Sequence, residues 1–219
     1  MIRLANFLLF IENISDYTKK VIDNGQTPLD VYNVCSIIRE SFCCSYSIRK
    51  DNNLYIYIDS THNLIKFEGN SLRYLGSDER SQALLLKRAL DKLNGIEKII
   101  SQRMQKSTPG IFVKKLLNDE SILENIIDLY NDKIIVINEF EKENMESDIN
   151  NLEELDNLRE YCYIFPQNSP STVDFLGLID EKYKLKYANL SNIKGIENKI
   201  LYINFLIDQK ENTNKELNR

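Results

Sequence analysis

The stretch Leu64-Ile65-Lys66-Phe67-Glu68-Gly69-Asn70-Ser71-Leu72-Arg73-Tyr74-Leu75-Gly76-Ser77-Asp78-Glu79-Arg80-Ser81 carries a strand, a tight turn and a helix start in succession. Leu64 to Phe67 has the composition of a short strand, and Gly69-Asn70 closes it. Ser77 to Ser81 has the marks of a helix start, with Ser77 as capping hydroxyl and two acids at the positive end of the helix dipole. Ala83 to Leu93 continues that helix, and Asn94-Gly95 stops it. Just upstream, Leu54-Tyr55-Ile56-Tyr57-Ile58 is the strongest strand signal in the chain.

Outward from this stretch, short apolar runs alternate with helix-period segments. Leu4 to Ile11 reads as a strand. Asp30 to Tyr46 reads as a helix with Val31, Val34, Cys35, Ile38 and Phe42 on one face, started by the Thr27 hydroxyl ahead of Pro28. Thr108-Pro109-Gly110 is a turn before the strand Ile111-Phe112-Val113, while Ile96 to Met104 is ambiguous. Ile122 to Tyr130 reads as a short helix and Lys133 to Asn138 as a buried strand. Asn151 to Arg159 reads as a helix seamed by Leu152, Leu155 and Leu158. Tyr161 to Phe165 is another strand, and Ser171 is expected to cap a helix reaching about Lys182. Lys184 to Leu190 is the last strand and Glu197 to Asp208 the last helix, with a frayed polar tail from Gln209. Strands alternating with helices predict one α/β domain over residues 1–219. Its sheet is mostly parallel and flanked by helices, and ligands bind at the carboxyl ends of strands.

The 219 residues include 33 acidic and 28 basic side chains, a net charge of -5. Glu141 to Glu160 alone carries -6, so the rest of the chain is near neutral at +1. Between Ile48 and Lys115 the surplus is +6, enough for a basic face on an acidic chain. Cys35, Cys43, Cys44 and Cys162 have no C-x-x-C spacing, and His62 is the single histidine, expected in a surface loop. Neither a metal site nor a disulfide is predicted, and reduced thiols suit a cytoplasmic setting. No apolar run is long enough to span a membrane. Met1 to Phe10 reads as the approach to a first strand rather than as a signal peptide. There is no G-x-G-x-x-G, P-loop, nucleophile elbow or H-E-x-x-H.

The run F-E-G-x-x-L-R-Y-L-x-x-D-E-R-S over Phe67 to Ser81 is nevertheless distinctive. Together with Pro28-Leu29-Asp30-Val31, Ser47-Ile48-Arg49-Lys50-Asp51 and Thr108-Pro109-Gly110-Ile111-Phe112-Val113, it resembles the archaeal tRNA pseudouridine-54 N1-methyltransferase family of the SPOUT superfamily. The resemblance implies a SPOUT-like fold with a C-terminal trefoil knot, S-adenosylmethionine as methyl donor, tRNA or another structured RNA as substrate, and a homodimer in which two subunits complete the site. No membrane or metal enters that picture. It divides the chain into a substrate-side half over 1–140, an acidic loop and helix over 141–160, a knot region over 161–208 and a polar tail over 209–219.

Carried over residue by residue, the resemblance assigns Asp78 and Arg80 to the target nucleotide. Asp30, Arg49, Arg73, Glu79 and Ser81 become RNA-side contacts, with Arg offering a fixed fork to phosphate or a uracil-type carbonyl. Read without the resemblance, Asp78 to Ser81 is only a helix start, Asp30 only a helix-start acid and the arginines only solvated charges. The cofactor positions fall on Phe165, Pro166, Gln167, Leu190, Ser191 and Lys199. Here the sequence departs from the family's turns, each of which carries a Gly, since Phe165-Pro166-Gln167-Asn168 places a residue with no N–H at the first of them. A second expectation therefore stands beside the enzyme: a SPOUT-fold RNA-binding or interaction protein that has lost cofactor binding.

Overall fold

The computed structural model of the chain describes residues 4–44, 47–96, 103–118, 121–122, 126–127, 130, 133–138, 148–149, 152–166, 170–183 and 185–217. Its centre is the strand β1 (Ala5–Ile11), an almost unbroken apolar run. Such a run is what a strand covered on both faces requires. Alternate residues point to opposite sides. Ala5, Phe7 and Leu9 enter one core cluster, Leu8 and Phe10 the other.

After β1 come α1 (Lys19–Asp23), α2 (Leu29–Phe42), the small hairpin β2 (Cys43–Cys44) and β3 (Ser47–Ile48), then β4 (Asn52–Ile58) and β5 (Asn63–Glu68). Next follow α3 (Glu79–Asn94), β6 (Gln105–Thr108), β7 (Ile111–Lys115), β8 (Ile134–Asn138), β9 (Asp148–Ile149) and β10 (Cys162–Phe165). The described chain closes with α4 (Pro170–Tyr183), β11 (Lys186–Asn189) and α5 (Ile196–Leu217). Among the described residues nine strands form one sheet in the order β6-β7-β5-β4-β1-β10-β8-β11-β9. From β4 to β9 the pairings are parallel, and the β5, β6 and β7 edge is antiparallel. The expectation of a mostly parallel sheet flanked by helices holds. Residues of α2, α3 and α5 pack on the cluster containing Phe7, and those of α4 on the cluster containing Phe10.

Several local expectations need correction. Pro28 rather than Thr27 occupies the N-cap of α2, with no side-chain cap, and the Thr27 hydroxyl is buried without a hydrogen-bond partner. That helix ends at Phe42 rather than Tyr46, because the chain turns back and the Arg49 N–H donates to the Phe42 carbonyl at 2.7 Å. Asp78 rather than Ser77 caps α3. Pro170 begins α4, so Ser171 lies inside its first turn. Two short 3-10 turns, Leu152–Glu154 and Leu158–Glu160, replace the helix expected over Asn151 to Arg159. They still bury Leu152 and Leu158. α5 runs on to Leu217 instead of fraying after Asp208. Polar contacts hold this extension: Asp208 pairs with Arg49, Glu211 with Arg159, and Lys210 Nζ donates to the Leu155 carbonyl at 2.5 Å. The expected helix over Ile122 to Tyr130 and the loop over Glu141 to Asn150 lie largely outside the described residues.

Candidate functional site

The distinctive run divides into an inside and an outside. Phe67, Leu72 and Leu75 are buried, whereas Arg73, Tyr74, Ser77, Asp78 and Arg80 are exposed. The glycines close the inside. A side chain at Gly69 would strike the backbone carbonyls of Arg49 and Asn52. Gly110 sits at φ +80° with the backbone of Leu72 where its Cβ would be. The Glu68 N–H donates to the Gly110 carbonyl at 2.8 Å and Arg73 N–H to the Pro109 carbonyl at 3.3 Å. Thr-Pro-Gly therefore belongs with the distinctive run because the two loops share one backbone network.

On the outside, Asp78 accepts the Ser81 N–H at 2.8 Å as the cap of α3. The Ser81 hydroxyl accepts the Gly76 N–H at 2.8 Å and donates to the Tyr74 carbonyl at 3.2 Å. Gln82 Nε2 donates to the Gly76 carbonyl at 3.1 Å. Arg80 is 55% exposed and its Nε donates to Asp23 at 2.8 Å. Lys19 and then Arg80 hold the Asp23 carboxyl below the usual carboxylate range. Arg49 is turned inward, its guanidinium paired with both oxygens of Asp208. Arg73 stays exposed, with Nη1 donating to the Leu72 carbonyl at 3.2 Å, and Glu79 lies half-buried in the first turn of α3.

A cleft of about 490 Å³ opens elsewhere, lined by Glu12, Asn13, Asp30, Asn33, Pro166 and Ile196 among others. Glu12 and Asn13 follow the last residue of β1, and Pro166 follows the last residue of the adjacent parallel strand β10. This is the carboxyl-end crevice in which open α/β sheets bind ligands. Asp30 accepts the Ser15 N–H at 2.5 Å. Burial pushes its carboxyl up, but the N–H groups of Ser15, Val31 and Asp30 itself outweigh that and keep it below the usual range. The cleft thus presents an ionised carboxylate beside a second carboxylate and two amides.

The remaining cofactor positions gather at this same end. Leu190 and Ser191 follow β11, and Ser191 N–H donates to Asn189 Oδ1 at 2.8 Å. Lys199 is buried in the first turns of α5, whose first residue Ile196 lines the cleft. Phe165 points into the core, ring against Phe7, and is not among the residues that line the cleft. Gln167 lies outside the described residues.

The two groups of residues lie at opposite ends of the sheet. Ala5 is paired with Asn52 and Ile11 with Ile58, while Asn53 is paired antiparallel with Glu68. The loop from Glu68 to Asp78 therefore leaves from the Ala5 end, and the cleft lies at the Ile11 end. α2 confirms the polarity: Asp30 at its start lines the cleft, and the Cys43 thiol at its end contacts the Gly76 carbonyl at 3.7 Å. The seven residues of β1 set the two ends about 20 Å apart along the strand direction within one chain.

Residues 19–152 match the family of putative SAM-dependent RNA methyltransferases, and that span is more than half of the chain. The chain belongs to this family. Both Asp30 and the Asp78–Arg80 helix start fall within the matched residues of this putative RNA methyltransferase family. Similar proteins include tRNA (pseudouridine(54)-N(1))-methyltransferases from three archaea. The one from Methanococcus aeolicus is 34% identical over 120 residues, 51% of this chain and 56% of the relative. The one from Haloferax volcanii is 32% identical over 101 residues, 46% of this chain and 48% of the relative. The one from Methanocaldococcus jannaschii is 30% identical over 115 residues, 51% of this chain and 55% of the relative. The chain spans about half the length of the curated relatives it matches. No group of three or more metal-ligating side chains occurs among the described residues, and no described helix is long and apolar enough to cross a membrane.

Sequence reasoning missed Glu12, Asn13, Asn33 and Tyr74. The first two had a readable signal, since polar residues directly after a central parallel strand face the crevice by rule.

Proposed function

We propose that this chain transfers a methyl group from S-adenosylmethionine to N1 of a pseudouridine in tRNA. The observation that carries the reading is the family match over residues 19–152, supported by relatives that bear that activity in their names. Pseudouridine is joined to its ribose through carbon, so its N1 carries a proton, and loss of that proton makes N1 a nucleophile that uridine, with N1 bonded to ribose, lacks.

The cleft suits the cofactor in size and polarity, about 490 Å³ being ample for a nucleoside-sized ligand. S-adenosylmethionine, when bound, supplies a methyl group activated by a positive sulfonium. Asp30 and Glu12 complement that positive charge and the cofactor's ammonium, while Asn13 and Asn33 offer amides to its carboxylate and ribose. Arg80 clamps the target nucleotide through phosphate or a base carbonyl, and Asp78 accepts the N1–H of the base. Arg73 and Ser81 steady the RNA alongside, with Glu79 at the same helix start. Leu190, Ser191 and Lys199 shape the cofactor wall in a knotted C-terminal region, beside Pro166 just after β10.

The separation of about 20 Å between cleft and Asp78–Arg80 loop favours a homodimer in which one copy's loop meets its partner's cleft. Leu201 and Phe205, one turn apart on α5 and 47% and 51% exposed, offer apolar surface for such an interface. The protein works as one domain in the cytoplasm, where its RNA is found. Pro166 at the lip of the cleft donates no N–H, and this favours the second reading, an RNA-binding protein that has lost its cofactor.

The test is methyl transfer from labelled S-adenosylmethionine to two tRNA transcripts, one with pseudouridine and one with uridine at the same T-loop position. Label on the pseudouridine transcript alone is expected. Label on both or on neither contradicts the assignment, and tight RNA binding without transfer selects the second reading.

A further inference from the structure

Tyr74 stands out on the exposed side of the loop between β5 and α3. Its side chain is 79% exposed, and its backbone sits at φ +64°. A large side chain in that left-handed region costs free energy, and solvent exposure of the ring returns none of it. The surroundings nevertheless fix the conformation. Leu72 and Leu75 are buried on either side, the Ser81 hydroxyl holds the Tyr74 carbonyl at 3.2 Å, and Gly76 is tied to both Ser81 and Gln82. The loop thus holds an aromatic face in water at the cost of backbone strain, with the exposed Arg73 next to it in sequence and the exposed Arg80 at the helix start that follows.

An exposed aromatic face on a loop that also carries exposed arginines fits an unpaired nucleobase with its phosphates. We infer that Tyr74 is the stacking platform for an unpaired base of the bound RNA, either the target nucleotide or its neighbour. The inference rests on the RNA reading above and adds to it the residue that holds the base. These arginines take phosphate charge, and the strained peptide keeps the ring from folding back onto the protein.

The test measures binding of the 219-residue chain to a fluorescently labelled T-arm hairpin by anisotropy, at several salt concentrations, beside thermal melting. Tyr74→Phe should keep affinity within about twofold, and Tyr74→Ala should lose about tenfold or more. The salt slope should stay unchanged in Tyr74→Ala and fall in Arg73→Ala, because stacking releases no counterions. Tyr74→Gly relieves the strain, so it should melt no lower than wild type while losing affinity as Tyr74→Ala does. Tyr74→Gly or Tyr74→Ala binding like wild type overturns the inference and leaves the RNA reading standing. Absence of hairpin binding by the wild-type chain overturns both.

Discussion

Arg49 holds Asp208 through two parallel hydrogen bonds of 2.8 and 2.6 Å, joining the turn before β4 to the last helix. The Arg49 side chain is 14% exposed and Asp208 43% exposed, so one partner is largely desolvated and the other is half in water. The two arms match the carboxylate in plane and spacing, which a lysine cannot do. Arg49→Ala is therefore expected to destabilise the fold by about 1–2 kcal/mol, partial screening keeping it at the lower end for charged hydrogen bonds. In a chain this long that lowers Tm by about 2–4 °C per kcal/mol. Asp208→Ala should do much the same, and the double variant little more. Loss of RNA affinity at unchanged Tm would instead make Arg49 a phosphate contact.

Gly110 is required by its surroundings rather than by chemistry. At φ +80° a Cβ would fall on the backbone of Leu72. Gly110→Ala should cost roughly 1–3 kcal/mol from backbone conformation alone, with the clash added to it. The melting curve of the variant gives the answer. A stability equal to wild type would mean that the two loops are not packed as described.

Glu68 couples the same loops to pH. Burial pushes its carboxyl up, but the Lys66 ammonium at 2.8 Å and the Ser71 hydroxyl at 2.5 Å donate to it and hold it below its ordinary value of 4.5. A depressed folded-state pKa means stabilisation that is complete above the unfolded pKa and is lost as pH falls through the folded one. Urea unfolding at a series of pH values from neutral to acid should show wild type losing stability below about pH 4.5, and Glu68→Gln should lose less over that window. Equal slopes for the two proteins would remove Glu68 from the account.

The proposed completion of the site across two copies has its own signature. Asp30→Ala spoils the cleft and Arg80→Ala spoils the loop, so each homodimer should be inactive. Arg80→Ala should do so without a large change in Tm, because an exposed ion pair such as Arg80–Asp23 adds little to stability. Unfolding and refolding an equal mixture should restore about a quarter of the wild-type methyl transfer, since half the dimers are mixed and each carries one intact site. No recovery, with mixed dimers verified by mass, would place the whole site within one chain.

Much of this architecture was legible from alternation and punctuation. β1, β4 and β10 are long enough in apolar residues to declare themselves, and Gly95 ends α3 as the sequence suggests. What periodicity could not reach was held by polar contacts between distant residues. α5 continues past Asp208 because Arg49, Arg159 and Leu155 hold its polar residues, and none of these pairs is visible in a window of sequence. Buried asparagines escaped for the same reason. Asn52 Nδ2 reaches the Ser41 carbonyl at 2.7 Å and Asn204 Oδ1 at 2.9 Å, linking β4, α2 and α5. On the candidate site, the resemblance singled out Asp30 and Arg80, but only the strand register places them at opposite ends of the sheet.

The most direct test is calorimetric titration of S-adenosylmethionine into the folded chain, with Asp30→Ala beside it. The account predicts saturable binding near one cofactor per chain, weakened in Asp30→Ala while the melting curve of the variant stays cooperative. No heat at millimolar ligand, from a protein that melts cooperatively, would contradict it.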